Sequence, residues 1–137
     1  MGTTSDFLLD TGIVIRHLRD DARAHALLDY LEGKGEMAVS VITCMETMVG
    51  CRSPEEERAI LSLFDRIPTL SVDRDVAERA AALIRRYPAV FGKGVQRGAA
   101  DALIAATSWR HNRVLITLNT RQFAKVPTAE VTLQAVD

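Results

Sequence analysis

The chain has 137 residues, 47% hydrophobic and 26% charged, with a net charge of −1, which suits one globular domain spanning residues 1–137 around one core. That balance excludes a strongly basic nucleic-acid binder and leaves room only for a local basic surface. No apolar run approaches the ~20 residues of a membrane helix and no signal-like segment opens the chain, so no membrane contact and a cytoplasmic location are expected.

Residues 7–10 read as a short buried strand and residues 12–18 have a helical cast. Residues 22–31 form a clearer helix, with Ala24, Leu27, Leu28 and Leu31 at i, i+3, i+4, i+7 spacing and Gly33 and Gly35 ending it. Residues 37–39 are a second strand. Ser40 caps a helix through Val49 that Gly50 closes. Ser53-Pro54-Glu55-Glu56 is a capping box with Pro at the first helical position, opening a helix to about residue 66. Ile60, Leu61 and Phe64 are expected to face inward. Residues 68–72 read as a third strand, and Asp73 caps a helix with Val76, Ala80, Leu83 and Ile84 on its apolar face.

Pro88, Gly92, Gly94 and Gly98 predict a loop or broken helix before the helix of residues 99–109. Asn112 is its C-terminal cap, residues 114–116 are the clearest strand, and residues 131–133 are a last edge strand. Strands alternate with helices, which predicts an α/β domain with a mostly parallel sheet and helices on both faces. Cys44 and Cys51, if both lie on one helix, are ~10 Å apart along its axis. That is too far for a disulfide, and no His nearby completes a zinc site.

Four polar residues stand where the pattern is apolar. Asp10 ends the run Phe7-Leu8-Leu9, and a buried ionised acid is rare unless paired or bound to a metal. Glu46 is the only charge between Val41 and Val49. Asp101 is the only charge between Ala99 and Trp109, in what reads as a first helical turn. Asn119 follows Val114-Leu115-Ile116-Thr117-Leu118. In a parallel sheet, strand C-termini and the following helix N-termini share one edge, where function collects. Taken singly these residues serve as caps, turns or solvated positions. Together they are an oxygen-only ligand set, which favours Mg²⁺ or Mn²⁺ over Zn²⁺. Three acids brought close together repel one another unless a cation intervenes. The chemistry indicated is phosphodiester hydrolysis by a metal-activated water, which the Asn119 carbonyl orients. Between Glu78 and Asp101 there is no acid, while Arg79, Arg85, Arg86, Lys93 and Arg97 fall there. This stretch is a solvated helix face or a phosphate-contacting rim, in which Arg85, Arg86, Lys93 and Arg97 are the candidate phosphate contacts.

At these residues the sequence resembles the PIN-domain nucleases, specifically the VapC-like toxins of bacterial toxin–antitoxin pairs. The match covers nearly the whole chain. Leu8-Leu9-Asp10-Thr11 looks like the opening strand and first acid, and Ser40 to Glu46 like the second-acid helix. Asp101-Ala102-Leu103-Ile104-Ala105-Ala106-Thr107 looks like the third-acid motif, and Thr117-Leu118-Asn119-Thr120-Arg121-Gln122-Phe123 like the Thr-x-Asn-x-x-x-Phe segment. The resemblance implies a three-layer PIN fold and Mg²⁺- or Mn²⁺-dependent endoribonuclease activity. It also implies a homodimer, an RNA substrate and a cognate antitoxin. It assigns metal binding to Asp10, Glu46 and Asp101, the fourth catalytic position to Asn119, and support to Thr11 and Thr117. Gly12 departs from the Asn common in relatives, which removes a hydrogen bond near Asp10.

Other readings weigh less. Asp10-Thr11-Gly12 also matches a retroviral-type aspartic protease, but those enzymes are almost all strand and this chain reads as mostly helix. A phosphotransfer enzyme using Asp10 as covalent acceptor usually has a second Asp two residues on, where this chain has Gly12. A non-catalytic module of the same fold is the remaining alternative.

Overall fold

A computed structural model describes residues 6–92, 95–118, 126 and 133–135. The elements run β1 (Phe7–Leu9), α1 (Thr11–Leu18), α2 (Ala22–Leu31), β2 (Met37–Ser40), α3 (Val41–Val49), α4 (Pro54–Arg66), β3 (Thr69–Leu70), α5 (Arg74–Arg86), α6 (Pro88–Phe91), α7 (Val95–Arg110), β4 (Val114–Thr117) and β5 (Leu133–Ala135). The strands form one sheet in the order β3-β2-β1-β4-β5, and every described pairing is parallel. The expected α/β class is present.

The strands alternate their side chains between two apolar layers. Leu8, Ala38 and Leu115 point to the layer formed with Val76, Ala80 and Leu83 of α5, Phe91 of α6, and Ala102, Ala105 and Ala106 of α7. Phe7, Leu9, Val39 and Ile116 point to the opposite layer, with Ile13 and Val14 of α1, Leu28 and Leu31 of α2, and Leu63 of α4. Helices therefore cover both faces. Each fully buried side chain, Leu8 or Leu115 for instance, contributes roughly 1.5–3 kcal/mol relative to exposure.

The expected caps form. Ser40 Oγ accepts from Ile42 N–H, Ser53 Oγ from Glu56 N–H and Asp73 Oδ1 from Val76 N–H. Asn112 sits at φ 53°, with Asn112 N–H donating to Trp109 O and Arg113 N–H to Ser108 O. This paired geometry ends α7 in a Schellman motif.

Three local expectations are corrected, at Leu61, β3 and the start of α7, and the last strand is found with a later end. Leu61 is exposed, and Leu63 takes the inward position because Ile60, Leu63 and Phe64 keep the three–four spacing. β3 is two residues long, not five. The last strand lies at Leu133–Ala135; residues 131 and 132 are outside the described residues. Most consequentially, α7 begins at Val95, four residues earlier than the glycines imply. Gly98 is no helix breaker here. A Cβ at this position would lie 1.7 Å from the Phe91 carbonyl oxygen and 2.7 Å from its Cα. Its missing side chain lets α6 and α7 touch backbone to backbone.

Gly98→Ala is therefore expected to destabilise the fold by about 3 kcal/mol, the upper range of overpacking costs. Urea unfolding followed by circular dichroism measures this; a midpoint equal to wild type would show that the contact relaxes without cost.

Candidate active site

The site lies at the carboxyl edge of the sheet, in the crevice between β1 and β4. From β1 the chain order runs to β2 and β3 on one side, while β4 lies on the other. Such switch points leave a crevice outside the strand ends. The register Leu9↔Ile116 carries forward to place Asp10 beside Thr117, and Asp10 N–H donates to Ile116 O at 2.9 Å.

Asp10 is 5% exposed. Its Oδ1 accepts from Thr11 N–H at 2.8 Å, capping α1, and its Oδ2 accepts from the Thr117 hydroxyl at 2.6 Å. Burial pushes its pKa up from the ordinary 3.8. The bonds from Thr117 and Thr11 pull it down, and the charges of Asp101 and Glu46 push it up again. The last two causes place Asp10 within the field of both Asp101 and Glu46.

Glu46 is half-buried on α3 and reaches α1: the Thr11 hydroxyl donates to its Oε1 at 2.7 Å. Thr11 thus holds two acids, Asp10 by its N–H and Glu46 by its O–H. Asp101 is half-buried in the second turn of α7, not the first, because that helix starts earlier than expected. Thr117 is buried, and its hydroxyl donates to Asp10 Oδ2. Asn119 and Lys93 lie outside the described residues, as does the side chain of Arg97. Thr43 was not anticipated. Its fully buried hydroxyl oxygen lies 3.1 Å from that of Thr11. Its place one turn before Glu46 was the available signal, but a lone Thr in an apolar helix carries no charge to stand out.

A Cβ at Gly12 would meet Leu118 Cδ1 at 3.6 Å, an ordinary contact, so among the described residues nothing bars a side chain there. Both cysteines are free thiols, Cys51 lying beyond the end of α3.

The basic segment divides. Arg79 pairs with Asp75 at 2.7 Å and lies over the Trp109 ring, so it belongs to the α5–α7 seam. Arg110 also pairs with Asp75, at 2.7 Å. Asp75 meets Arg110, Arg79 meets Trp109 and Phe91 meets Gly98, so α5–α6 and α7 run antiparallel. At ~1.5 Å per residue that register brings Arg85 and Arg86 to within about one turn of Asp101's level along the axis. Both are exposed, and with Ala82 they line a hollow of about 340 Å³.

Among the described residues, no three Asp, Glu, His or Cys side chains converge tightly enough to cage a metal. Asp10 shares a field with each of the other two acids, but the three form no ready-made cage. This still fits Mg²⁺, which keeps several waters and takes one or two carboxylates. The donors are oxygens only, and the upward shift of Asp10 is the cost that a divalent cation would remove.

The PIN-domain profile matches residues 7–129. The chain belongs to the PIN-domain family. Ribonuclease VapC19 of Mycobacterium tuberculosis (strain CDC 1551 / Oshkosh) is 34% identical over 123 residues, covering 88% of this chain and 94% of that protein. The tRNA(fMet)-specific endonuclease VapC of Shigella flexneri is 31% identical over 124 residues, covering 88% and 91%. A toxin–antitoxin complex from Klebsiella pneumoniae superposes with a TM-score of 0.79 at 29% identity, covering 96% of this chain and 98% of the other. The PIN-domain nucleases of the VapC type are metal-dependent. No described helix is long and apolar enough to cross a membrane.

Because the folded state raises the Asp10 pKa, its stabilising proton is fully present below pH 3.8 and lost as pH rises through the folded value. In EDTA, the melting temperature should show a falling component above pH 3.8 that Asp10→Asn removes. Asn preserves the cap and can donate to Thr117, so the variant should melt above wild type at pH 7. Thermal melts between pH 3.5 and 8 check this; a variant melting below wild type at pH 7 refutes it.

Proposed function

We propose that this chain is a divalent-metal-dependent endoribonuclease, the toxin of a toxin–antitoxin pair, hydrolysing RNA phosphodiester bonds. The observation that carries the reading is Asp10, buried at the β1–β4 switch point, held by Thr117 and Thr11 and sharing a field with Glu46 and Asp101. The ribonuclease and endonuclease relatives support it.

Asp10, Glu46 and Asp101 would hold Mg²⁺ or Mn²⁺. When bound, such an ion supplies a water of lowered pKa and neutralises charge on the phosphate. The protein's own part is orientation. Each Asp10 oxygen accepts one hydrogen bond and keeps lone pairs for an ion. Thr11 ties the Glu46 carboxylate to the same helix terminus. Asn119, two residues after Thr117, would set the water with its carbonyl. Arg85 and Arg86, at the level of Asp101, would meet RNA phosphates; Lys93 and Arg97 are further candidate contacts by sequence.

The antitoxin is the partner this reading assigns by extension from the Klebsiella toxin–antitoxin complex, and a second copy of the chain is the partner the PIN-domain resemblance implies.

Purified protein incubated with RNA should cleave in Mg²⁺ or Mn²⁺ and stop in EDTA. Asp101→Asn and Glu46→Gln should each lower the rate on the order of 10²-fold or more, the scale of losing one transition-state contact. Cleavage that survives both EDTA and Asp101→Asn would exclude this function. Arg85→Ala with Arg86→Ala should instead weaken RNA binding uniformly and flatten its salt dependence; an unchanged salt slope would remove them from the interface.

A further inference from the structure

We propose that Thr43 is a positioning residue for the metal site: its hydroxyl directs the single Thr11 hydroxyl proton onto Glu46 and so fixes that carboxylate for a cation. The inference rests on the metal-nuclease reading above.

Thr43 is fully buried on α3, one turn before Glu46. A buried hydroxyl is costly unless it is hydrogen-bonded. Thr47 and Thr107, also buried, satisfy theirs within their own helices, donating at 2.7 Å to the carbonyls of Thr43 and Leu103. Thr43 instead meets Thr11 across the α1–α3 interface, oxygen to oxygen at 3.1 Å. Thr11 has one hydroxyl proton, and Glu46 Oε1 lies 2.7 Å away. An ionised carboxylate only accepts. The Thr11 hydroxyl is placed to donate to both Thr43 Oγ1 and Glu46 Oε1. The nearer carboxylate takes its one proton, and Thr43 turns its own rotatable hydroxyl proton toward Thr11 Oγ1. The result is a one-way chain, Thr43 to Thr11 to Glu46, in which each donor strengthens the next. It occupies Oε1 and leaves Oε2 of Glu46 for an ion.

The test is Mn²⁺ binding to the full chain, followed by electron paramagnetic resonance, for wild type, Thr43→Val, Thr43→Ser and Thr11→Val. Thr43→Val should weaken binding about three- to tenfold. Thr11→Val should reach the ~10–100-fold typical of losing a ligand's direct partner. Thr43→Ser, which keeps the hydroxyl, should bind as wild type. The metal-free melting temperature of Thr43→Val should not fall, since a methyl replaces the hydroxyl in a buried place. The Mn²⁺ concentration for half-maximal RNA cleavage should rise by the binding factor. Wild-type affinity in Thr43→Val, or equal weakening in Thr43→Ser, overturns the relay. A wild type that binds Mn²⁺ without cleaving RNA removes the nuclease reading while the binding series still decides the relay. A wild type that binds no Mn²⁺ removes both.

Discussion

The structure is organised around one buried carboxylate. Asp10 ends the central strand, caps the first helix and accepts from Thr117 of the neighbouring strand. Each bond does structural work. The N–H of Thr11 belongs to a helix terminus that needs an acceptor, and the negative charge suits the positive end of α1. Yet burial and two nearby acids oppose that charge. The local gain from capping is thus set against a wider electrostatic cost. A buried position that only needed a cap would be served by Ser or Asn, as buried Ser40 serves α3, whereas Asp73, the acid that caps α5, is exposed. A buried acid is therefore more than capping requires.

The short connections make the site rigid. β1 passes into α1 through Asp10 alone, and β2 passes into α3 with Ser40 as both last strand residue and cap. Asp10 and Thr11 therefore sit at the junction of regular elements, while Glu46 and Thr43 lie within α3. Side chains on such elements are held more closely than those on loops. Thr11 bridges the two junctions, so α1 and α3 cannot shift apart without releasing Glu46.

Much of this was legible in the sequence, for particular reasons. Asp10, Glu46 and Asp101 stood out because a lone acid in an apolar run breaks the local rule, and such breaks gather at functional sites. Helix starts at Ser40, Ser53 and Asp73 were readable because capping chemistry is local. Neutral polar residues were not equally readable. Thr43 fits a buried helix by size, and its role appears only when α1 supplies Thr11 opposite it. Leu61 and Leu63 both suit a core, and three-dimensional packing chose between them. Gly98 is ambiguous in sequence because glycine marks both broken helices and close backbone contacts, and only the neighbouring Phe91 carbonyl distinguishes them.

Gly98 connects packing to the site. Its missing Cβ lets the Phe91 backbone close against α7 and sets the depth at which the α5–α6 hairpin arm docks. The far end of the seam is fixed by charge, where Asp75 binds both Arg79 and Arg110. These two anchors, one steric and one ionic, determine how far α5 slides along α7. A slip of one helical turn would move Arg85 and Arg86 by ~5 Å relative to Asp101. The height of the basic rim above the acidic crevice is therefore a property of the α5–α7 packing, and no residue of the rim sets it alone.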